Sequence, residues 1–347
     1  MFQILTLDDP RWIDFIDSRR EAYIFHHPRW IKNLEEVYGY HGFFLALLDK
    51  KGQIRAGLPI MEVNSPLTGK RWVSVPFSDH CAPLYENEAA LEELTTGLVT
   101  LSAQKEIPRM ELRWSYPPRE EIYCEVQHVW HTRQLDANAD PDVLFEGLPK
   151  KIRKYVRSSI NRGVRVEIGS SDADMRRFYK LMVQTRQQHG VPVQPWRYFA
   201  GLQKNLLAQG LGFILLAYHQ EICLSGIVAL HWQKTLTLKY GASLKQSEED
   251  LRELRPGYLL EWEAIRWACE NGYTIVDVGR SGLQDEGLRD YKNRWGYQEQ
   301  PLAYCSIGGK LSYTAPGKLM RLMNSVVRHS PAIVCRAAGE ILYRHFG

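Results

Sequence analysis

A chain of 347 residues, with 44% hydrophobic and 24% charged residues, exceeds one ordinary domain and carries enough apolar material for a sizeable core. A disordered chain and a small stapled scaffold are excluded. The net charge of +4 is small, and it equals the excess carried by Lys318, Arg321, Arg328, Arg336 and Arg344 over Glu340 alone.

In chain order, the first half reads as a strand at Phe2–Leu7, helices near Pro10–Arg20 and Pro28–Tyr38, and strands at Phe43–Asp49, Ile54–Val63 and Arg71–Val75. A helix over Ala89–Lys105 and strands at Arg109–Trp114 and Gln127–Leu135 complete it, and Asp136–Pro149 reads as a link. The same order then recurs. A strand at Val164–Ile168 precedes helices near Asp174–His189 and Pro195–Gln209, then strands at Gly212–Tyr218, Cys223–Trp232 and Thr235–Tyr240. A helix over Gly257–Asn271 and strands at Thr274–Val278 and Ala303–Ile307 follow. Helices interrupt runs of antiparallel strands, so the expected class is α/β with mixed sheets rather than a doubly wound dinucleotide fold. On element order alone, the recurrence is either a duplication or two unrelated lobes.

After Gly317 the pattern changes to a basic amphipathic tail. One stretch puts Leu319, Leu322, Met323, Val326 and Val327 on one face, with Lys318, Arg321 and Arg328 elsewhere. Pro331 breaks it, and a second stretch aligns Ile333, Val334, Ala337, Ala338, Ile341 and Leu342. Such a tail either docks on its own core or lies on an anionic membrane surface. No apolar run is long enough to span a bilayer, and Asp8 and Asp9 spoil any signal-peptide reading of the start. The six cysteines are scattered singly, without a C-x-x-C pair, and point to reduced thiols and a cytosolic compartment.

No metal site is expected, because His128 and His131 fall on opposite faces of a strand and no other ligand cluster appears. No nucleophile elbow or phosphate loop is present. Two segments stand out. In Ile275–Gly296 a strand ends in Asp277-Val278-Gly279-Arg280-Ser281, and a glycine-containing loop leads to Tyr291-Lys292 and Trp295-Gly296. Gly279 permits close approach, while Arg280 and Lys292 offer cations to anionic oxygens. The competing reading is an internal Asp277–Arg280 pair with Trp295 in the core. The second segment, Lys150–Arg165, holds seven basic residues and no acidic one. On a helix, Lys150, Lys154, Arg157 and Asn161 form one stripe, either a phosphate-binding surface or a solvated face.

Several spaced blocks share a further resemblance. FHHPRW at Phe25–Trp30, VSVPFSDHCAPLY at Val73–Tyr85, LPKKIRKYVRSSINRGVRVEI at Leu148–Ile168 and LKYGAS at Leu238–Ser243 occur in order, followed by DVGRS and YKNRWG. Together they resemble the FemAB-like branch of the GNAT-type N-acyltransferase superfamily, whose signature reads Asp-Phe-Gly-Arg-Ser and Phe-Lys-x-x-Trp-Gly. The resemblance implies a tandem pair of GNAT-like lobes, at 1–147 and 148–311, with a helical tail at 312–347. It implies transfer of an aminoacyl or other acyl group to an amine of a cell-envelope precursor or polysaccharide.

Under that resemblance Lys292, Arg280 and Asp277 are the catalytic candidates. Tyr291, Tyr240, Ser281, Arg186 and Trp295 are the substrate-binding candidates, and the basic stripe of Lys150, Lys154 and Arg157, read from its charge pattern, is the phosphate-binding candidate. No cofactor is implied beyond the activated donor, aminoacyl-tRNA or acyl-CoA, and the amine acceptor is of the lipid-linked kind. Tyr291 departs from the signature's Phe. The Gln/Arg-x-x-Gly-x-Gly/Ala turn that holds the CoA pyrophosphate is missing at Arg252–Tyr258, where Pro256 removes a donor, and this disfavours acyl-CoA. The expected location is cytoplasmic, with residues 318–347 touching an anionic membrane at its inner face. The alternatives are an acyl-CoA-dependent transferase of a small amine and a non-catalytic module binding polyanions or lipid surfaces.

Overall fold

Proline and a capping side chain open the first two helices. Asp9 accepts the Arg11 N–H ahead of α1 (Pro10–Asp17), and His27 accepts the Arg29 N–H ahead of α2 (Pro28–Tyr38). Gly39, at φ 71°, ends α2 in the left-handed conformation that glycine tolerates best. The computed structural model describes residues 1–104, 107–136, 139–244, 253–309, 324 and 327–345. The chain forms two compact units, one of residues 1–130, 300–314 and 342–347, the other of residues 131–299 and 315–341.

In the first unit, β1 (Phe2–Leu5), β2 (His41–Leu48), β3 (Ile54–Ser65) and β4 (Gly69–Val73) pair antiparallel in that order. The short β5 (Leu84–Tyr85) pairs with β3, and β6 (Met110–Leu112) lies parallel to β4. β7 (Ile122–Gln134) and β13 (Gln298–Ile307) give residues to both units. β2 is apolar on both faces because both are covered. Phe43, Leu45 and Leu47 pack with Leu94 and Leu98 of α3 (Glu88–Ser102), whereas Phe44 stacks on Trp12 of α1 at 4.1 Å.

The second unit opens with α4 (Pro141–Glu146) and α5 (Lys150–Asn161). It continues through β8 (Val164–Gly169), α6 (Asp172–Gln188), α7 (Trp196–Asn205), β9 (Gly212–His219), β10 (Ile222–Trp232) and β11 (Thr235–Ser243). Then come α8 (Pro256–Glu270), β12 (Ile275–Gly282) and α9 (Glu286–Arg294), and, later in the chain, α10 (Ala332–Leu342). A reciprocal Ser171–Asp174 capping box starts α6. β8 to β11 form an antiparallel meander, and β12 joins β11 in parallel over Thr235–Thr237 against Ile275–Asp277. The core gathers Leu215, Ala217, Leu260, Ile265, Val276 and Trp295. The mixed α/β class stands as expected, and the expected element order recurs with β5 added in the first run and α9 inserted between β12 and β13 in the second.

Several expectations are corrected. The link at 136–149 contains α4, and the strand meant to end near Val278 carries the whole Asp277–Ser281 motif. The segment taken as a loop before Tyr291-Lys292 is α9. Cys124 and Cys305, on adjacent strands with Cα atoms 4.0 Å apart, are joined as a disulfide. The cysteine spacing concealed this partnership because 181 residues separate the two, and the cysteine argument for a reducing compartment lapses. Cys81, Cys223, Cys269 and Cys335 are free thiols.

The tail's first apolar face, apart from Val327, lies outside the described residues. Its second buries a different side from the one expected. Cys335 and Gly339 face inward, with the Cys335 thiol against the Val191 carbonyl, while Ile333 and Ile341 are 72% and 64% exposed. Gly339 allows this, because a Cβ there would sit 1.7 Å from the Val193 carbonyl oxygen.

Candidate functional site

The site begins with a backbone irregularity inside β12. Gly279 takes φ 67°, a conformation that favours glycine. Its N–H is held by the buried Asp277 carboxylate at 2.7 Å. The Gly279 and Arg280 carbonyls accept hydrogen bonds from the Lys292 ammonium, both at 3.2 Å. Lys292 lies on α9, a helix capped by Asp285 and braced by Arg289, whose guanidinium grips Glu299 at 2.8 Å. At 6% exposure Lys292 is the buried residue of that helix, so α9 docks through a cation rather than an apolar stripe.

The neighbouring Tyr291 turns toward α8. Its hydroxyl donates to Glu261 Oε2 at 2.6 Å, and Tyr297, Lys292 and Arg133 act on the same carboxyl. Burial pushes Glu261 up to about 7, against the lowering effect of the two tyrosines and the two cations. Burial, with the Glu261 charge, drives the Tyr291 phenol well above its ordinary range. On β7, His131 is wholly buried with neither ring nitrogen bonded, and burial followed by the Lys292 charge lowers it to about 4.

A cavity of about 450 Å³ opens at the start of α8, lined by Leu244, Tyr258, Tyr291 and the backbone turn at Arg255. Arg255 is itself left-handed, with φ 48°, and its guanidinium lies over the Tyr155 ring at 4.1 Å. The space is thus bordered by the Arg255 turn and two phenols, Tyr258 and Tyr291, and Tyr291 links it to the buried Glu261 carboxyl and is followed in sequence by Lys292. It is suited to holding an acyl donor and stabilising negative charge that develops on it.

The structure brings Asp277, Arg280, Ser281, Tyr291 and Lys292 onto β12 and α9, but it disperses the other candidates. Ser281 is buried with its hydroxyl unbonded. Trp295 is wholly buried and stacked on Tyr258, which makes it core rather than an exposed substrate contact. Tyr240 bonds the Tyr198 hydroxyl of α7 at 2.8 Å, with Phe199 beside it, so it does not join Tyr291. Arg186 lies near Cys335 of α10 instead. Lys150, Lys154, Arg157 and Asn161 share a groove of about 530 Å³ on α5, although Glu146 pairs with Arg153 and Arg157.

The sequence reading passed over Glu261 and set His131 aside as a failed metal ligand. Glu261 did leave a signal: it stands four residues before Ile265, among buried α8 residues that are otherwise apolar. Among the described residues, no group of three His, Cys, Asp or Glu side chains is placed to hold a metal ion.

The family model of the acetyltransferase (GNAT) domain matches residues 148–293, which include the Asp277 and Lys292 motifs. A UDP-N-acetylmuramoylpentapeptide-lysine N(6)-alanyltransferase from Weissella viridescens is 25% identical over 158 residues, 45% of this chain and 45% of that protein. The match thus spans less than half of that relative's length. The crystal structure of FemX superimposes with a TM-score of 0.66 at 14% identity, over 93% of this chain and all of that one. A tandem GNAT protein from the clavulanic acid biosynthesis pathway gives a TM-score of 0.54 at 9% identity, over 90% of this chain and all of that one. The architecture is a tandem GNAT fold.

Proposed function

We propose that the protein transfers an aminoacyl or other acyl group from an activated carrier to an amine of a cell-envelope precursor or polysaccharide, a reading supported by the GNAT-domain match over residues 148–293 and by the likeness to an alanyltransferase and to FemX. One observation carries this reading: the Lys292 ammonium is fixed on the Gly279 and Arg280 carbonyls, while the adjacent Tyr291 lines the cavity at the start of α8. The alanyltransferase relative is named for adding alanine to a lysine N6 amine, which supports an amine acceptor here.

In the proposed reaction the acceptor nitrogen attacks the acyl carbonyl carbon and negative charge gathers on its oxygen. The bond to the carrier then breaks, and the amine proton passes to the departing oxygen or sulfur. Aminolysis of an ester asks mainly for positioning and for stabilisation of that oxyanion. Lys292 and Arg280 supply positive charge, Asp277 shapes the Gly279 turn that seats Lys292, and Tyr291 bounds the donor space.

The α5 groove supports a polyanionic carrier such as aminoacyl-tRNA. An acyl-CoA donor is the second reading, favoured by the open backbone at Gly257, where a Cβ would meet nothing within 4 Å. Donors and precursors of this kind support a cytoplasmic site for the proposed reaction. The exposed Ile333, Ala337 and Ile341 stripe beside Arg336 and Arg344 is the surface proposed to touch an anionic membrane. No helix among the described residues is long and apolar enough to cross one.

The test is turnover with charged tRNA, acyl-CoA species and lipid-linked precursors, in the wild type and in Lys292→Met. The variant is expected to lose about 10²–10³ in turnover while melting within a few degrees of the wild type. Equal activity of the variant would sink the assigned role. Ligand binding without turnover by the wild type would favour a binding module.

A further inference from the structure

The Tyr291–Glu261 pair is not required by acyl transfer itself. Where the resembled signature has Phe, packing alone satisfies the ring. Here the ring carries a hydroxyl that burial would leave stranded, and Glu261 accepts its hydrogen bond at 2.6 Å. A buried carboxyl is costly in turn, and its surroundings come from every element packed around it. Tyr258 lies on its own helix α8, Tyr291 and Lys292 on α9, Tyr297 on the turn after α9, and Arg133 on β7. One carboxyl therefore tethers the two-residue segment that both bounds the cavity and carries the ammonium.

On the acyl-transfer reading of this site, we propose that Glu261 is a positioning residue: through the Tyr291 hydroxyl it holds the Tyr291–Lys292 segment of α9 against α8, and its ionised form gives the donor cavity its working shape. An ionised carboxylate binds the phenol by a short, charge-assisted bond and balances the nearby cations. A protonated one competes as a donor and leaves Lys292 and Arg133 with less compensation. Burial brings this change to about pH 7, where it bears on activity. Acidification below that value weakens the tether.

The experiment compares the wild type with Glu261→Gln, whose amide oxygen still accepts from Tyr291 but does not ionise. Donor KM and kcat are measured between pH 5.5 and 8.5. The wild type is expected to lose up to tenfold in kcat/KM for the donor per pH below 7, chiefly through KM, and the variant to be nearly flat there. A wild-type pH profile retained by Glu261→Gln overturns the proposal.

Tyr291→Phe, which keeps the carboxyl and removes the tether, is expected to raise donor KM at all pH values. An unchanged KM in that variant also overturns the proposal, and this arm decides the matter if Glu261→Gln fails to fold. Melting without substrate gives a readout independent of turnover. Relative to Glu261→Gln, the wild type is expected to lose stability as pH rises from 5 through 7, because the folded protein holds a proton there that the unfolded chain has released. No turnover with any donor would sink the acyl-transfer reading. Parallel melting curves would sink the role of Glu261.

Discussion

Replacing His131 with leucine, which has a similar volume, tests the electrostatics of the buried site. The imidazole is wholly out of solvent and neither nitrogen finds a partner, so a neutral ring forfeits about 1–3 kcal/mol of hydration. Its pKa of about 4, held down by burial and then by Lys292, lies below the ordinary 6.5. Between those values the unfolded chain binds a proton that the folded protein refuses, so stability falls as pH drops from 6.5 toward 4. From pH 8 to pH 5 the wild type should lose roughly 2 kcal/mol through this one residue, at about 1.4 kcal/mol per pKa interval.

His131→Leu removes that loss. Urea unfolding of both proteins at pH 5, 6, 7 and 8 is expected to show the variant gaining about 2 kcal/mol on the wild type toward the acid end. His26, His27 and His231, also lowered by burial, contribute alike to both proteins and cancel. A constant offset between the two curves would refute the reasoning, since it would mean that His131 titrates normally in the folded state.

Gly339→Ala drives a methyl group into the Val193 carbonyl and should cost about 1–3 kcal/mol, read as a lower melting temperature and faster proteolytic release of α10; an unchanged melt would contradict the seating of that helix. The paired change Ile333→Ser with Ile341→Ser should abolish flotation with vesicles rich in anionic lipid and leave melting unchanged, because both side chains are exposed. Flotation equal to the wild type would remove the stripe from any membrane role.

The strands and longer helices were legible where apolar spacing and punctuation agree. Pro28–Tyr38 was read to the residue because proline opens it and Gly39 closes it. The helix that matters most to the site was read as a loop for a physical reason. α9 is polar apart from Tyr291 and an exposed Leu288, has Gly287 in its first turn and buries a lysine, so it offers no apolar periodicity to detect. Lys292, Tyr291 and Asp277 were visible as a motif, whereas their partners were not. Glu261 and His131 reach the site from α8 and β7, and although Glu261 stands out among the apolar residues of its helix, the sequence alone does not show which elements meet it. Tyr240 and Arg186 were drawn in by residue type, but the fold spends them on α7 and beside α10.

The first unit is discontinuous, and this has a consequence for the order in which the protein can fold. Its strand β6 is completed by Cys305–Ile307, and the Tyr40 hydroxyl reaches the Arg344 carbonyl across 304 residues of sequence. Closing such long loops costs chain entropy before any contact rewards it. During synthesis, then, residues 1–130 wait exposed while the nearly contiguous second unit emerges and acquires its meander. Until those late residues pair, the apolar strands β2 and β3 lack part of the unit they belong to.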